Sequence, residues 1–346
     1  MINLVKPVLG IPMGDPAGIG PEIALKAMEK KEVYQKANPL IIGSFYILNS
    51  LKEKLSLNIK INSIKEINEA KFEFGTVDIL TVDNMDLDIL EYGKVKAECG
   101  KAAYEYIRLS IELALKGDLD AVVTTPINKE AVKSAKIDFL GHTEMFASHT
   151  DTKDPITMFQ VFDLRVFFLS RHLSLKDACS YVKKENIIKI MKKCLNSIDL
   201  LGLENGQTAI AGLNPHSSDN GMFGKEELDE VIPAVKELKE IMGFNVVGPI
   251  PADSVFYQAL NGKYDAVLSL YHDQGHIATK MVDFQKTIAF TIGLPFLRTS
   301  VDHGTAFDIA GKGIANSESM EEAIFYAAKH ALNYKLLYNK IGWNKY

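Results

Sequence analysis

Cysteine is scarce in this chain, and long apolar runs are absent from it. The 346 residues include three cysteines, Cys99, Cys179 and Cys194, and no two of them form a Cys-x-x-Cys pair. This pattern is typical of reduced, buried thiols in a cytoplasmic protein rather than of a disulfide framework. No run of about 18 or more apolar residues occurs, so we expect no membrane-spanning helix.

An excess of charge of one sign is also missing. Lys and Arg number 39, Asp and Glu number 44, the net charge is −5, and no long basic block occurs. This balance argues against a nucleic-acid partner. The N-terminal stretch MINLVKPVLGIPMGD lacks the continuous apolar core of a signal peptide, so we expect a cytoplasmic protein.

What the sequence does contain is a repeated alternation of strand and helix patterns. Hydrophobic residues make up 47% and charged residues 24%, as in globular proteins, and 346 residues exceed one ordinary core, so we expect two domains. Residues 7–13 and 120–125 read as strands, and residues 100–116 as an amphipathic helix. The alternation predicts an α/β fold with largely parallel or mixed sheets, in which ligands bind at the carboxyl ends of strands.

Glycine and polar residues are densest in residues 293–316, GLPFLRTSVDHGTAFDIAGKGIAN. Within this stretch, Arg298 is a planar donor suited to phosphate or carboxylate. The main-chain amides of its Gly-Lys-Gly loop are suited to face a phosphate-bearing ligand. The alternative is a surface turn between a strand and a helix, but such turns rarely gather this many glycine and polar residues.

Two further stretches are candidates for anion binding. GDPAGIGPEIALKAM, which begins at Gly14, predicts a glycine-rich turn that opens a helix, but it has neither the dinucleotide fingerprint nor the P-loop spacing. It is either a phosphate-cradling turn or a purely structural one. In Gly141-His142-Thr143-Glu144, the His142 ring and the Thr143 hydroxyl are candidate anion ligands. The alternative is that Thr143 and Glu144 only stabilise a helix N-terminus.

Three histidines, His172, His216 and His272, each follow a predicted strand. Each of them alone is more typical of a hydrogen-bonded structural residue. Brought together at one rim of a sheet, or across a subunit boundary, three imidazoles with an open fourth position make a catalytic divalent-metal site, most naturally for zinc. Asp253 and Asp273 are candidate ligands, hydrogen-bond partners of the ligands or proton carriers.

Longer motifs carry a family resemblance. GDPAGIGPEI, GHTE, NPH, PAD, YHDQG and GLPFLRTSVDHGTA resemble the signatures of the PdxA family, the 4-hydroxythreonine-4-phosphate dehydrogenases, from about residue 7 to the final helix. DHGTAFDIAGKGIAN is also similar to the nucleotide-binding loop of isocitrate and isopropylmalate dehydrogenases.

The resemblance implies the α/β, two-domain fold of those isocitrate/isopropylmalate-type dehydrogenases, not a Rossmann domain. Residues 1–128 and 290–346 would form a discontinuous nucleotide-side domain, and residues 129–289 a metal-binding and dimerisation domain. The active site would lie in the cleft between the domains, and two subunits of a homodimer would share it.

The resemblance also implies roles for individual residues. The metal ligands fall on His172, His216 and His272, and we expect Asp253 or Asp273 to carry a proton. Substrate binding falls on His142, Thr143, Lys280 and Arg298. Binding of the cofactor, NAD, is expected at residues of the C-terminal stretch: Gly293, Asp302, Gly304, Gly311, Gly313 and Asn316.

Three departures from the family pattern concern the substrate. The family has an asparagine nine residues after its lysine, where this chain has Ala289, and alanine cannot donate that hydrogen bond. Ser217-Ser218-Asp219 stands where the family often has Ala-Gly-Glu. His276 resembles a second subgroup, which acts on 4-phospho-D-threonate or 4-phospho-D-erythronate.

The implied activity is the NAD-dependent oxidation and decarboxylation of a 4-phosphorylated 3-hydroxy acid, with Zn, Mg, Mn or Co as the divalent metal. The first expectation for the substrate is 4-hydroxythreonine-4-phosphate, which gives 3-amino-2-oxopropyl phosphate in pyridoxine biosynthesis. The alternative is 4-phospho-D-threonate or 4-phospho-D-erythronate, which gives dihydroxyacetone phosphate. Two other classes remain open: a metal-dependent hydrolase, for which the GKGIAN loop has no evident use, and a non-catalytic ligand-binding homologue.

Overall fold

The structure, a computed structural model, describes residues 5–139, 141–203, 206–343 and 345–346. The chain divides into two compact units. Residues 1–155 and 293–335 form the first unit, and residues 156–292 and 336–346 form the second unit.

These boundaries differ from the predicted ones, which followed residues 128 and 289. The first unit extends to residue 155 because the helices at 129–134 and 142–149 pack against the helix at 97–116. The His142 and Thr143 side chains therefore belong to the first unit, not to the second domain in which the sequence placed them.

In the described part of the chain, the first unit is built on a six-stranded sheet. Its strands are β1 (Val8–Pro12), β2 (Asn38–Gly43), β3 (Lys60–Ile64), β4 (Thr76–Thr81), β5 (Ala121–Thr124) and β12 (Leu297–Val301). They lie in the order β3-β4-β2-β1-β5-β12, and all neighbouring strands are parallel. Strands β1 and β5 are buried almost throughout, which accounts for their continuous apolar runs.

The helices of the first unit connect these strands. They are α1 (Gly20–Ala27), α2 (Lys31–Lys36), α3 (Phe45–Lys54), α4 (Ala97–Lys116), α5 (Lys129–Ser134), α6 (His142–His149) and α12 (Glu318–Ile341), whose residues from 336 onward belong to the second unit. Helix α4 buries Ala103, Ile107 and Ile111, as its amphipathic pattern predicts. It ends at Gly117, whose φ of 88° is the left-handed conformation that commonly closes a helix.

The strand order of this sheet reverses between β1 and β5. From β1 the chain moves outward through β2 to β3 and β4, and α4 then returns it to β5 on the opposite side of β1. Open parallel sheets bind ligands at such a reversal, outside the carboxyl ends of the strands. The loops that follow β1 and β5, at residues 13–19 and 125–128, therefore flank the expected ligand position of this unit.

The described strands of the second unit are β6 (Ile156–Val161), β7 (Leu164–Phe168), β8 (Thr208–Ala211), β9 (Val246–Ile250), β10 (Ala266–Ser269) and β11 (Ile288–Ile292). They lie in the order β11-β6-β7-β10-β8-β9. Strand β6 is antiparallel to both of its neighbours, whereas β7, β10, β8 and β9 run parallel.

Four helices pack against this second sheet: α8 (Lys184–Leu200), α9 (Ile232–Lys236), α10 (Ala252–Leu260) and α11 (His272–Val282). The short helix α7 (Leu175–Tyr181) precedes α8. Helix α9 continues at both ends as π-helix, over Glu227–Val231 and Glu237–Ile241. One apolar core of the unit joins strand residues such as Phe159 and Val267 to Val255 and Phe256 of α10.

The predicted α/β class with parallel and mixed sheets is confirmed in both units. The isocitrate-type arrangement of two domains stays a prediction. No helix in the described part of the chain is long and apolar enough to cross a membrane.

Candidate active site

A buried arginine on β12 is the first element of the candidate site. Arg298 is 5% exposed, and its Nε and Nη2 atoms donate to the Thr124 hydroxyl at the end of β5, at 3.2 and 2.8 Å. Its guanidinium lies over the Phe146 ring of α6, 5.1 Å from the centroid. Burial lowers the pKa of Arg298 to about 9. A buried guanidinium of this kind is suited to a phosphate or carboxylate ligand, which would compensate its charge.

His142, the first residue of α6, is a second element. Its Nε2 atom is buried and has no hydrogen-bond partner among the described residues, although the residue as a whole is half-buried. Burial, followed by the positive charges of Arg298 and Lys129, lowers the pKa of His142 well below 6.5, while a hydrogen bond to the Thr125 main chain opposes the shift. The ring is therefore neutral at pH 7.

The same contacts assign the tautomer of the His142 ring. The hydrogen bond to the Thr125 main chain favours the charged ring, so the ring donates it. Since Nε2 has no partner among the described residues, the donor is Nδ1–H, and the neutral ring therefore carries its lone pair on Nε2. Thr143, the next residue of α6, is half-buried near the positive end of the helix dipole. We call His142, Thr143, Arg298 and Lys129 the anion cluster.

The loop after β1 carries a buried carboxylate, Asp15. Its Oδ1 atom accepts the Ala17 amide at 2.8 Å, yet burial outweighs this bond and raises the pKa of Asp15 from 3.8 to about 6. A Cβ at the preceding Gly14, whose φ is 70°, would lie 2.4 Å from the Pro126 carbonyl oxygen. The loops after β1 and β5 are thus in direct contact, and only glycine fits at that point.

The segment between β12 and α12 contains most of the predicted cofactor residues, namely Asp302, Gly304, Gly311, Gly313 and Asn316. The amides of Gly313 and Ala315 donate to the buried Glu22 carboxylate of α1, at 3.3 and 2.9 Å. These two amides therefore point into the protein, and the expectation that the loop amides face a phosphate does not hold for them. Gly293, also buried, donates its amide to the Tyr334 hydroxyl at 3.0 Å, which is a packing contact.

In the second unit, the three predicted metal ligands follow three neighbouring parallel strands. His172 follows β7, His272 follows β10 and His216 follows β8. The Gln274 side chain ties two of these strand ends together, because its Nε2 atom donates to the Gly212 carbonyl at 2.7 Å. The three histidines thus lie along the carboxyl edge of one sheet.

His272 opens α11 beside a carboxylate. Its Nδ1 atom lies 2.5 Å from Oδ1 of Asp273, and its ring stacks on that of His276 one turn further on, with 4.0 Å between centroids. His276 in turn stacks on Phe168, at 4.7 Å. These contacts fix the orientation of the His272 imidazole from two sides.

Positive charge collects along the same face of α11. Lys280, two turns after His272, lies over the Phe284 ring, with Nζ 4.9 Å from the centroid. Burial, followed by the charges of His272, Lys280 and Arg171, lowers the pKa of His276 to about 4. His276 is therefore a neutral ring at pH 7.

His216 lies in an unusual left-handed turn. Residues 216–220 all have positive φ, between 43° and 71°, and none is glycine. Such a conformation costs roughly 1–2 kcal/mol at His216, Ser217 and Ser218, though less at Asp219 and Asn220, and positions of this kind cluster at ligand sites. The buried Glu227 carboxylate accepts the amides of Leu213 and Asn214, at 2.8 and 2.7 Å, and so fixes the start of the turn. The His216 Nδ1 atom lies 3.1 Å from Oδ2 of Asp219.

The histidines fit a divalent metal by their chemistry. In both His216 and His272 a carboxylate contacts Nδ1, which leaves the lone pair of Nε2 available to a metal ion, as is usual for metal-ligating histidines. Within the residues described for this one chain, however, no three His, Cys, Asp or Glu side chains gather in a way that could hold a metal ion. The strand ends bring the predicted ligands to one edge but not into one site.

The remaining predicted positions lie on the same unit. Asp253 is exposed in the first turn of α10. Ala289 lies on β11 opposite Phe159 and is partly buried against the apolar core. Two residues that organise the loops, Glu22 and Gln274, were not predicted as site residues. The available signal for Glu22 was a carboxylate that leads into the apolar run Ile23-Ala24-Leu25, whereas Gln274 lies among the polar residues of YHDQGH and gives no such signal.

Comparison with known proteins places the chain in a family. The family model described as "Pyridoxal phosphate biosynthetic protein PdxA" matches residues 35–327. The chain belongs to the PdxA family. A curated relative from Halalkalibacterium halodurans, named "Putative D-threonate 4-phosphate dehydrogenase", is 56% identical over 326 residues, 94% of this chain and 97% of the relative. A Clostridium botulinum protein of the same name is 53% identical over 335 residues, 97% of this chain and all of the relative.

Solved structures of the PdxA family share the fold. A 4-hydroxythreonine-4-phosphate dehydrogenase from Klebsiella pneumoniae matches with a TM-score of 0.88 at 37% identity, over 95% of this chain and 99% of that one. A protein of the same name from Burkholderia phymatum has a TM-score of 0.84 at 38% identity, with the same coverage. These two relatives and these two solved structures are all named as dehydrogenases.

Proposed function

We propose that this PdxA-family protein is a dehydrogenase whose substrate is 4-phospho-D-threonate or 4-phospho-D-erythronate. The observation that carries the choice is the identity of 56% and 53% to relatives named for D-threonate 4-phosphate, against 37% and 38% to structures named for 4-hydroxythreonine-4-phosphate. The substrate expected first, and with it the assignment to pyridoxine biosynthesis, gives way to the alternative.

The anion cluster supports a doubly anionic substrate. Arg298 offers a forked donor, and Thr143 offers a hydroxyl at a helix N-terminus. His142 offers Nε2 once that atom carries a proton. We propose that the cluster binds the phosphate or the carboxylate of the substrate, and that Lys280 is a further substrate ligand.

Ala289 is consistent with this substrate choice. The side chain offers no hydrogen-bond donor or acceptor, and its neighbours on β11 and β6 are apolar. A substrate group that needs the family's usual asparagine contact would be left without a partner there. We propose that the 4-phosphorylated sugar acids do not need that contact.

We propose NAD and a divalent metal as cofactors. His172, His216 and His272 would hold the metal, with ligands from two copies of the chain in a homodimer. A bound divalent ion supplies Lewis acidity to a hydroxyl and a ketone, and NAD supplies a hydride acceptor. Asp302 and the exposed side of residues 311–316 would contact the nucleotide.

The proposed reaction balances without another reagent. The hydroxy acid loses hydride from C3 and a proton from the C3 hydroxyl, and the resulting 3-oxo acid loses CO₂ and gains a proton at C2. The products are NADH, CO₂ and dihydroxyacetone phosphate. Asp273 is held by His272, which suits a positioning role, whereas the exposed Asp253 is suited to move the proton from the hydroxyl to C2.

NADH formation tests this proposal directly. The purified protein would be given NAD and a divalent metal with 4-phospho-D-threonate, 4-phospho-D-erythronate or 4-hydroxythreonine-4-phosphate, and dihydroxyacetone phosphate would be measured as product. We expect turnover of a sugar acid. Preferential turnover of the amino substrate would overturn the substrate choice, and no NADH from any of the three would favour a hydrolase or a binding protein.

A further inference from the structure

We propose that Glu22 and Lys26 of α1 are positioning residues for the loop of residues 311–316 and thereby set the affinity for the cofactor. The inference rests on the proposed function, in which this loop contacts NAD. Neither residue belongs to the sites assigned above.

The Glu22–Lys26 ion pair binds the main chain of the loop at four points. The Glu22 side chain is fully buried, and its Oε1 atom accepts from Nζ of Lys26 and from the Ala315 amide, both at 2.9 Å. Oε2 accepts the Gly313 amide at 3.3 Å. Nζ of Lys26 also donates to the carbonyls of Gly313 and Ala315, at 2.9 and 2.8 Å. Both main-chain groups of both loop residues are therefore bonded to the pair.

These bonds determine which side of the loop faces outward. The loop is neither helix nor strand, so a regular hydrogen-bond ladder does not hold it. Since residues 313 and 315 turn toward α1, the side chains between and beside them, Lys312, Ile314 and Asn316, are exposed. A Cβ at Gly313, whose φ is 75°, would lie 2.9 Å from the Leu55 side chain, so the loop packs closely on Leu55 in a backbone conformation that favours glycine.

The same N-terminal motif holds the beginning of the segment as well. The Ile19 amide donates to the Thr305 carbonyl at 3.0 Å, and a Cβ at Gly18 would lie 2.9 Å from the Thr305 side chain. The sequence left open whether GDPAGIGPEIALKAM cradles a phosphate or is structural. The geometry points to a third role, in which the motif cradles residues 305–315 of its own chain.

The test replaces Glu22 by Gln in the full-length protein. Glutamine keeps the size of the side chain but presents an NH₂ group to one of the two loop amides, donor against donor. We expect the Kd for NAD, measured by calorimetry, to rise up to about tenfold, because the unsatisfied donor favours loop conformations that leave α1 and NAD binding must then restore the bonded one. The KM for the sugar acid should stay within about twofold, since the anion cluster is untouched.

Hydrogen exchange gives a readout that needs no cofactor. In E22Q, the amides of residues 309–316 should exchange faster than in the wild type, while those of β5 should not change. The matched control is Glu112→Gln, which breaks an exposed ion pair with Arg108, also spaced i,i+4 but on α4. If E22Q does not fold, Lys26→Met makes the same test, because Lys26 is partly exposed and methionine keeps most of its stem.

The outcomes separate this inference from the proposed function. Weaker NAD binding together with faster loop exchange in E22Q or K26M, but not in E112Q, supports it. Wild-type NAD affinity in a folded variant, or unchanged loop exchange, overturns it. A wild-type protein that does not bind NAD overturns the proposed function and the cofactor part of the inference, whereas the exchange result still decides whether the ion pair holds the loop.

Discussion

Anion binding at His142 should be linked to proton uptake. In the free protein, Nδ1–H of His142 donates to the Thr125 main chain and Nε2 carries a lone pair. An anionic oxygen therefore cannot accept a hydrogen bond from the neutral ring. A proton at Nε2 turns that repulsion into a charge-assisted bond. The bound anion would also offset the charges of Arg298 and Lys129, which now depress the pKa of His142.

The size and sign of the effect follow from linkage. Free His142 has a pKa well below 6.5, and an anion raises it. Between the free and the bound pKa, affinity should fall by up to about tenfold for each unit rise in pH, with uptake of up to about one proton. Replacing His142 by Asn keeps a donor near Nδ1 but removes Nε2. A hydrogen bond to a charged group contributes about 1.5–3 kcal/mol, so affinity should drop roughly ten- to hundredfold.

Calorimetry with sulfate measures both quantities. Sulfate keeps its charge across this pH range, whereas a phosphate monoester titrates near pH 6. Titrations in buffers of different ionisation enthalpy give the proton uptake. H142N should show none, and H142Q, which keeps an amide near Nε2, should bind without pH dependence. The control H149N alters the other end of α6, where Nε2 contacts the Tyr104 hydroxyl at 3.0 Å. Equal proton uptake by H142N and the wild type would refute the reasoning.

Three further predictions test other parts of the site. Arg298→Lys keeps the charge but not the forked bond to the Thr124 hydroxyl, so kcat/KM should fall about ten- to hundredfold in steady-state assays, and an unchanged value would contradict the substrate role. The pKa of Asp15 is raised from 3.8 to about 6 in the folded protein. The stability that Asp15 contributes is therefore complete below pH 3.8, where the carboxyl group is protonated in both states, and is lost as pH rises through about 6. As pH rises from about 4 to about 7, the free energy of unfolding of Asp15→Asn, measured with denaturant, should therefore increase by up to about 3 kcal/mol relative to the wild type. A relative increase toward low pH would contradict this prediction. His216→Ala should lose bound metal, measured by elemental analysis, together with turnover, while the Tm of the metal-free protein should not change, because the side chain is 66% exposed; wild-type metal content would count against the ligand assignment.

Much of the fold could be predicted because its signals are local. Strands β1, β5 and β8 read directly from short apolar runs between turn residues, and the histidines after β7, β8 and β10 were found from their place after a strand. The strand that carries Arg298 was not separated from the polar stretch around it, since residues 293–316 read as one loop-like segment. Alternation of strand and helix was therefore a better guide than composition.

What could not be predicted depends on contacts between distant residues. The first unit reaches residue 155 because α5 packs on α4, where a Cβ at Gly100 would lie 2.2 Å from the Ala131 carbonyl group. Glu22 precedes Gly313 by 291 positions, so no local pattern indicates that it takes the loop amides. The gathering of metal ligands is likewise a property of tertiary or quaternary packing, which spacing along the chain does not encode.

The left-handed turn at residues 216–220 limits how far the thermal stability of this protein can be raised without a loss of metal affinity. Glycine at Ser217 would relieve an unfavourable backbone conformation, which is expected to stabilise the folded state. The same replacement would give the chain around His216 more ways to move, so a gain in melting temperature would come with a less well-placed imidazole. Heat resistance and metal affinity are therefore expected to be opposing objectives in this turn.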